Sequence, residues 1–271
     1  PHTDAERDTY DLTKPFTGFS QEKQYRGHTQ NLQAWWRLNT NIASTGNATD
    51  SSGRARAGTF DAAADRPAYS ALIYPSTYIQ TSSLYFDGSG DRINIGTAAT
   101  WDAIIGNNTA AGSTQLMTFC AWIYKEGDGG SNAGCVINYG DDDINIFTST
   151  TEHVRFRATW DASAVVWTTQ QSGLFAFNEW THIAVTYDAN NVNNDPKIYV
   201  NGIEHAVTVA SGTKTGTWGG IQTKACYIGN NWDDGRGWKG RISDVGVWNK
   251  VLPSDEIEAI FNASLTPGKR G

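Results

Sequence analysis

The 271-residue chain has one methionine, three cysteines, five histidines and seven prolines, and only 18% of its residues are charged. Three scattered cysteines, Cys120, Cys135 and Cys226, are too few for a disulfide framework. Cys120 and Cys135 lie in strand-like runs and read as small buried hydrophobes, with a single Cys120–Cys135 bridge as the alternative. The histidines show no His-Glu-x-x-His spacing, and neither a Gly-x-Ser-x-Gly elbow nor a phosphate-cradling loop occurs. No apolar run reaches membrane-spanning length, so membrane insertion is not expected. A formal charge of −7 argues against a nucleic-acid partner, because phosphate binding needs a cationic surface.

What is abundant points to strands. Twenty-eight glycines and a load of 11 Trp, 11 Tyr and 10 Phe suit a turn-rich β domain with a sizeable core. Residues 179–205 (EWTHIAVTYDANNVNNDPKIYVNGIEH) show the pattern best. Trp180, His182, Ala184 and Thr186 alternate with Thr181, Ile183, Val185 and Tyr187, the period of a half-buried strand. Asn201-Gly202 then suits a type I′ hairpin turn, whose two central residues take positive φ. Residues 117–124 (MTFCAWIY) form a second strong strand, with Met117, Phe119, Ala121 and Ile123 on one face. Residues 135–139 pair with 144–147 across GDDD, and 153–160 with 165–169 across DASA. Residues 84–86 and 92–95 read as partners across DGSGD, residues 32–38 as the first strand, and 225–228 and 242–248 as the last two. One short C-terminal helix follows, capped by Ser254, with Ile257, Ile260 and Phe261 as an apolar stripe for the sandwich edge.

Residues 1–31 are polar, with Phe16, Phe19 and Tyr25 as large anchors besides Tyr10. They read as an extended arm that orders on another surface, an attachment segment preceding a sandwich over 32–271. A start at Pro1 rather than methionine implies processing.

The ordered set LQAWWRL with DSSGRARAGTF, SLYFDGSGDRINIG, MTFCAWIY, EWTHIAVTYD, KIYVNG, YIGN, GWKGRISDVGVWNKVL and PSDEIEAIF resembles the laminin-G-like group of concanavalin A-like domains. The resemblance spans roughly residues 32–265. It implies an all-β fold, two antiparallel sheets packed as a jelly-roll sandwich, and often an extracellular binding module with a structural calcium ion. Such domains also decorate secreted enzymes and viral particles. The low-Met, Asn/Thr/Gly-rich character is similar to that of such domains in marine bacteriophages.

For calcium, the resemblance implies Asp244 on the last strand with Asp87 in the FDG turn, and Asp50 and Asp91 as weaker candidates. The alternative is that Asp87 forms a turn and Asp244 accepts backbone N–H bonds. Asn230, Asn231, Trp232, Asp233, Asp234 and Arg236 have the composition of a glycan loop, an aromatic face with amides and carboxylates. Trp238 is assigned to the core. The 190–195 loop has suitable polar chemistry but no aromatic. Asp141, Asp142 and Asp143 read as a solvated turn. Glucanases of this fold carry a Glu-x-Asp-x-Glu strand, and no such spacing occurs here.

The sequence therefore points to a non-enzymatic surface module of a larger assembly, such as a capsid or tail, that contacts surface glycans outside the cell or on a virion. The alternatives are a free, secreted, calcium-dependent carbohydrate-binding module and a divergent glycoside hydrolase.

Overall fold

The structure is a computed structural model that describes residues 30–39, 46–60, 62–70, 82–106, 113–161 and 163–264. The arm anchors Phe16, Phe19 and Tyr25 lie outside the described residues. In chain order the strands begin with β1 (Leu32–Trp36), β2 (Ala68–Ser70), β3 (Ser83–Asp87), β4 (Ile93–Thr97) and β5 (Leu116–Gly127). β6 (Cys135–Tyr139), β7 (Ile144–Thr148), β8 (Val154–Trp160), β9 (Ser163–Thr169) and β10 (Trp180–Asp188) follow. The set ends with β11 (Lys197–Val200), β12 (Ile203–His205), β13 (Val207–Ser211), β14 (Ala225–Ile228) and β15 (Lys239–Trp248), then helix α1 (Ser254–Ala263).

Two antiparallel sheets stack face to face. One has eight strands in the order β12-β11-β10-β5-β15-β3-β2, with β1 also paired to β15; the other has seven, β13-β9-β8-β7-β6-β14-β4. Together with α1 they make the expected jelly-roll sandwich. Alternation fills the space between the sheets. Met117, Phe119, Ala121 and Ile123 of β5 point inward, as expected, onto Ile137, Ile146, Phe156 and Trp167, and Trp238 is fully buried in the same core. The 201–202 turn also forms as read: φ is 49° at Asn201 and 79° at Gly202, and the Asn201 side chain accepts the His182 N–H at 2.9 Å.

Two expectations need correction. Residues 83–87 and 93–97 do not form a hairpin, because β3 joins the eight-stranded sheet and β4 the seven-stranded one. The DGSGD turn is a corner between sheets. Asp91 Oδ2 takes the Asp87 N–H and Asp87 Oδ1 takes the Ser89 N–H, each at 2.8 Å, so side chains replace ladder bonds there. Second, Pro253 rather than Ser254 precedes the first turn of α1, without a side-chain cap. The helix lies across the outer face of the eight-stranded sheet rather than on its edge. Ile257, Ile260 and Leu252 pack on Trp35, Cys120, Ala184, Tyr199 and Trp248. Each buried isoleucine stabilises that docking by roughly 1.5–3 kcal/mol. Cys120, Cys135 and Cys226 are buried free thiols, as the buried-hydrophobe reading has it, and the alternative Cys120–Cys135 bridge does not form.

Candidate functional site

The loop between β14 and β15 starts at Gly229, where φ is 86° and a Cβ would lie 2.1 Å from the Phe86 ring. Asn230, next along, is fully buried. Its Oδ1 accepts the N–H groups of Asn231 (2.9 Å) and Arg236 (3.1 Å), and its Nδ2 donates to the Ser89 carbonyl at 2.6 Å. Asn231 is buried beside it. The Asn230 amide ties the loop to the sheet corner, so it is unavailable to a ligand, while the Asn231 side chain is buried with its Oδ1 unbonded. The other four expected residues stay nearer the surface. Trp232 is half-buried, with Lys224 Nζ 4.4 Å from its ring centroid. Asp233 Oδ1 accepts the Gly235 N–H at 3.1 Å, and Asp234 is ion-paired with Arg92. The Arg236 guanidinium lies 4.9 Å over Phe147.

Arg236 and Arg92 carry this loop onto the outer face of the seven-stranded sheet, since Arg92 stacks 4.7 Å over Tyr227 of β14. On β8, Val154, Phe156 and Ala158 point into the core, which leaves Arg155 and Arg157 outward. Register sets Arg157 opposite Asn145 and Arg155 opposite Phe147, while Asn145 faces Asn138 and Asn138 faces Tyr227. Asp142 curls over this row with φ 57°. Its Oδ1 accepts from Asn138 Nδ2 (2.7 Å) and Asn145 Nδ2 (3.3 Å), and its Oδ2 from Arg157 at 3.0 Å.

The GDDD turn is thus not a wholly solvated one. Asp141 is exposed, but Asp142 and Asp143 are buried. Asp143 accepts the Gln222 N–H at 2.6 Å, and burial pushes its carboxyl up to about 6. The sequence reading missed Asn138, Asn145, Arg157 and Tyr227. Their signal was present: two asparagines inside the apolar runs CVINY and INIFT, and the alternation VRFRATW.

The structure keeps the two expected calcium ligands apart. Asp87 pairs with Lys239 at the start of β15, and Asp244 lies five residues further along that strand. At about 3.4 Å per residue the separation is roughly 17 Å, beyond the reach of one ion with ligands at 2.3–2.6 Å. Asp244 sits at a bulge with φ 47°, fully inside, and takes the Trp35 indole N–H at 3.1 Å. Burial pushes its carboxyl up to about 7, with the Trp35 bond and the Arg37 charge opposing. Asp50 is committed as well, accepting the N–H groups of Trp35, Ser52 and Arg56 at 2.9 Å each. Asp91 holds the sheet corner, its carboxyl raised by burial to about 6. No cluster of three or more His, Cys, Asp or Glu side chains suited to a metal occurs among the described residues. The Asp87–Asp244 pair does not fit a shared ion.

His182 packs as expected from its strand position. It is buried, 5.3 Å from the Trp122 ring and 5.9 Å from that of Phe261, and desolvation lowers its pKa to about 3. At neutral pH it is an uncharged packing residue.

Solved structures of similar fold come from both enzymes and binding proteins. Domain 4 of the extracellular arabinanase AbnA from Geobacillus stearothermophilus, in complex with arabinotriose, is 18% identical with a TM-score of 0.52. That match covers 85% of this chain and 98% of the other. The Trypanosoma rangeli sialidase matches at 15% identity and TM-score 0.54, over 86% of this chain and 33% of its own. The binding domain of Paraclostridial Mosquitocidal Protein 1 matches at 15% and 0.55, over 87% of this chain and 52% of its own. At these identities the likeness shows a shared fold. No helix among the described residues is long and apolar enough to cross a membrane. No curated protein sequence matches the chain. The sequence profile of the laminin-G-type concanavalin A-like lectin/glucanases superfamily matches residues 100–258, more than half of the chain. With the two-sheet sandwich it describes in place, the chain belongs to that superfamily.

Proposed function

We propose that this chain is a non-enzymatic carbohydrate-contacting module on the surface of a larger extracellular assembly, of which a virion is the favoured case. One observation carries the reading: the outer face of the seven-stranded sheet is covered by guanidinium groups over buried amides and rings, a polar cover held by directional contacts. Arg92 lies over Tyr227, Arg236 over Phe147 with Arg155 opposite it in register, and the loop that brings Arg236 also holds half-buried Trp232 under Lys224. Planar donors beside ring faces suit the hydroxyls and apolar faces of sugar rings. Domain 4 of the arabinanase, of like fold, was solved with arabinotriose. The sialidase and the mosquitocidal binding domain hold this fold in about a third and a half of a longer chain.

The non-enzymatic part rests on Asp142. Glycoside hydrolysis needs two carboxylates facing each other across a bond, roughly 5–9.5 Å apart with room for a sugar between them. Here Asp142 is spent on Asn138, Asn145 and Arg157, while Asp234 pairs with Arg92 and Asp233 accepts the Gly235 N–H. A glycan array probed with the full chain tests the reading. Retention on one or more glycans, weakened in Trp232→Ala and Arg236→Ala, is the expected result, and retention on none sinks it. Loss of incorporation into the assembly on deleting residues 1–31 is expected if the arm attaches the module.

A further inference from the structure

The far end of the sandwich holds a second concavity. A groove of about 510 Å³ is lined by Gln115, Trp160, Asn190, Asn191, Thr217 and Trp218, with Ala189, Val192 and Gly216 completing the wall. β5 runs from this groove to Gly127, which pairs with Lys239, the partner of Asp87. Its 12 residues, at about 3.4 Å each, set the groove roughly 35–40 Å from the corner that anchors the Trp232 loop.

We infer that this groove is a separate binding site for an uncharged saccharide. Its volume falls within the roughly 300–1,000 Å³ of ligand pockets. None of the lining side chains is ionisable, which disfavours phosphate, sulfate, uronate or a metal ion. The walls are held by bonds that leave groove-facing atoms uncommitted. Asn190 Nδ2 donates to Asp188 Oδ1 (2.8 Å) and the Thr114 carbonyl (3.3 Å), which spares its Oδ1 as an acceptor. Asn191 Oδ1 accepts the Asn193 N–H at 2.9 Å, which spares its Nδ2 as a donor.

Behind the loop, Asn194 Nδ2 donates to the Asp188 carbonyl at 3.0 Å. Asp195 Oδ1 receives the Trp167 indole N–H (2.7 Å) and Lys214 Nζ (3.0 Å). On the opposite wall, Asp161 Oδ1 takes the Thr217 N–H at 2.8 Å, and Thr217 is exposed. The floor is the Trp160–Trp218 pair, edge to face at 5.6 Å and fixed by a backbone bridge. Donors and acceptors in a preformed, uncharged groove match sugar hydroxyls, and loop ordering has already been met on folding.

The site adds to the outer-face reading and is tested apart from it. Arabinotriose, xylotriose, cellotriose, maltotriose and trigalacturonic acid are titrated into the full chain by calorimetry. At least one neutral trisaccharide is expected to bind, with trigalacturonic acid weaker. The double variant Asn191→Ala/Thr217→Ala, changed only at exposed positions, should weaken that neutral ligand at least tenfold at parental melting temperature. Trp232→Ala should leave it unchanged. Binding that survives the double variant, or is lost in Trp232→Ala alone, overturns the groove and leaves the outer-face reading standing. Preference for trigalacturonic acid overturns the uncharged class. No binding of any neutral trisaccharide overturns the groove, while the array decides the outer face independently.

Discussion

The two outer faces of this sandwich are both largely closed to water, by opposite chemistry. Over the eight-stranded sheet, α1 lowers Ile257 and Ile260 onto Trp35, Trp248 and Tyr199, and His182 sits uncharged between Trp122 and Phe261. Over the seven-stranded sheet, Asp142 bridges Asn138, Asn145 and Arg157, and two arginines stack on Tyr227 and Phe147. An apolar cover is held by shape and released water, so anything replacing it must match that shape. A polar cover is held by directional bonds of the kind a hydroxylated ligand also offers. The first face is architecture, and the second is the one on which the proposed recognition would act.

The sharpest way to break this contrast is to thin the apolar cover. Trp122→Ala removes a buried indole and should cost about 3–5 kcal/mol in urea unfolding. A loss below 1 kcal/mol would mean that this face is loosely packed. On the polar face, Asp142→Ala strands two buried amides and a guanidinium, at an expected cost of about 2–3 kcal/mol. Asp142→Asn should recover part of that, since one carbonyl oxygen still accepts.

A third comparison uses pH. The folded pKa of His182, near 3, lies below its unfolded value of about 6.5. The unfolded chain therefore binds the proton first as pH falls, and stability is lost progressively from about 6.5 downward. The raised carboxyls of Asp91, Asp143 and Asp244 act the other way, because their folded forms take protons first. His182→Phe isolates the histidine. Relative to the variant, the parent should lose about 2 kcal/mol between pH 7 and pH 5. Parallel pH profiles would show that the ring reaches solvent. The smallest effect belongs to Trp232→Ala on the half-buried loop, under about 1 kcal/mol in stability while glycan retention falls.

Features with a local cause could be read in the sequence. Period-two alternation gave β5 and β10 with their inward faces, and Asn201-Gly202 gave its hairpin, because each depends on neighbours along the chain. The DGSGD corner was only half legible. Turn chemistry says that a chain bends but not which sheet receives it, and β3 and β4 part company there. The candidate surfaces were less legible still. Asn230 has ligand-like chemistry yet serves the loop's own backbone, and Asn231 is buried beside it. The 190–195 loop lacks an aromatic in sequence, but Trp160 and Trp218 reach it from β8 and the chain after β13. Composition names the groups, and topology decides whether they meet.

β15 carries a consequence for how the molecule is made. It lies between β3 and β5 and also pairs with β1, setting Ile242 opposite Leu84 and Ile123, and Trp36 opposite Val245. Its three partners all leave the ribosome more than a hundred residues earlier. Until residue 239 emerges, β3 and β5 each lack a neighbour and the larger sheet stays split down the middle. Such long-range closure is slow, and exposed strand edges invite pairing with other chains. Any nascent product that stops short of β15 therefore leaves facing edges of β3 and β5 unpaired, however complete its first two hundred residues look.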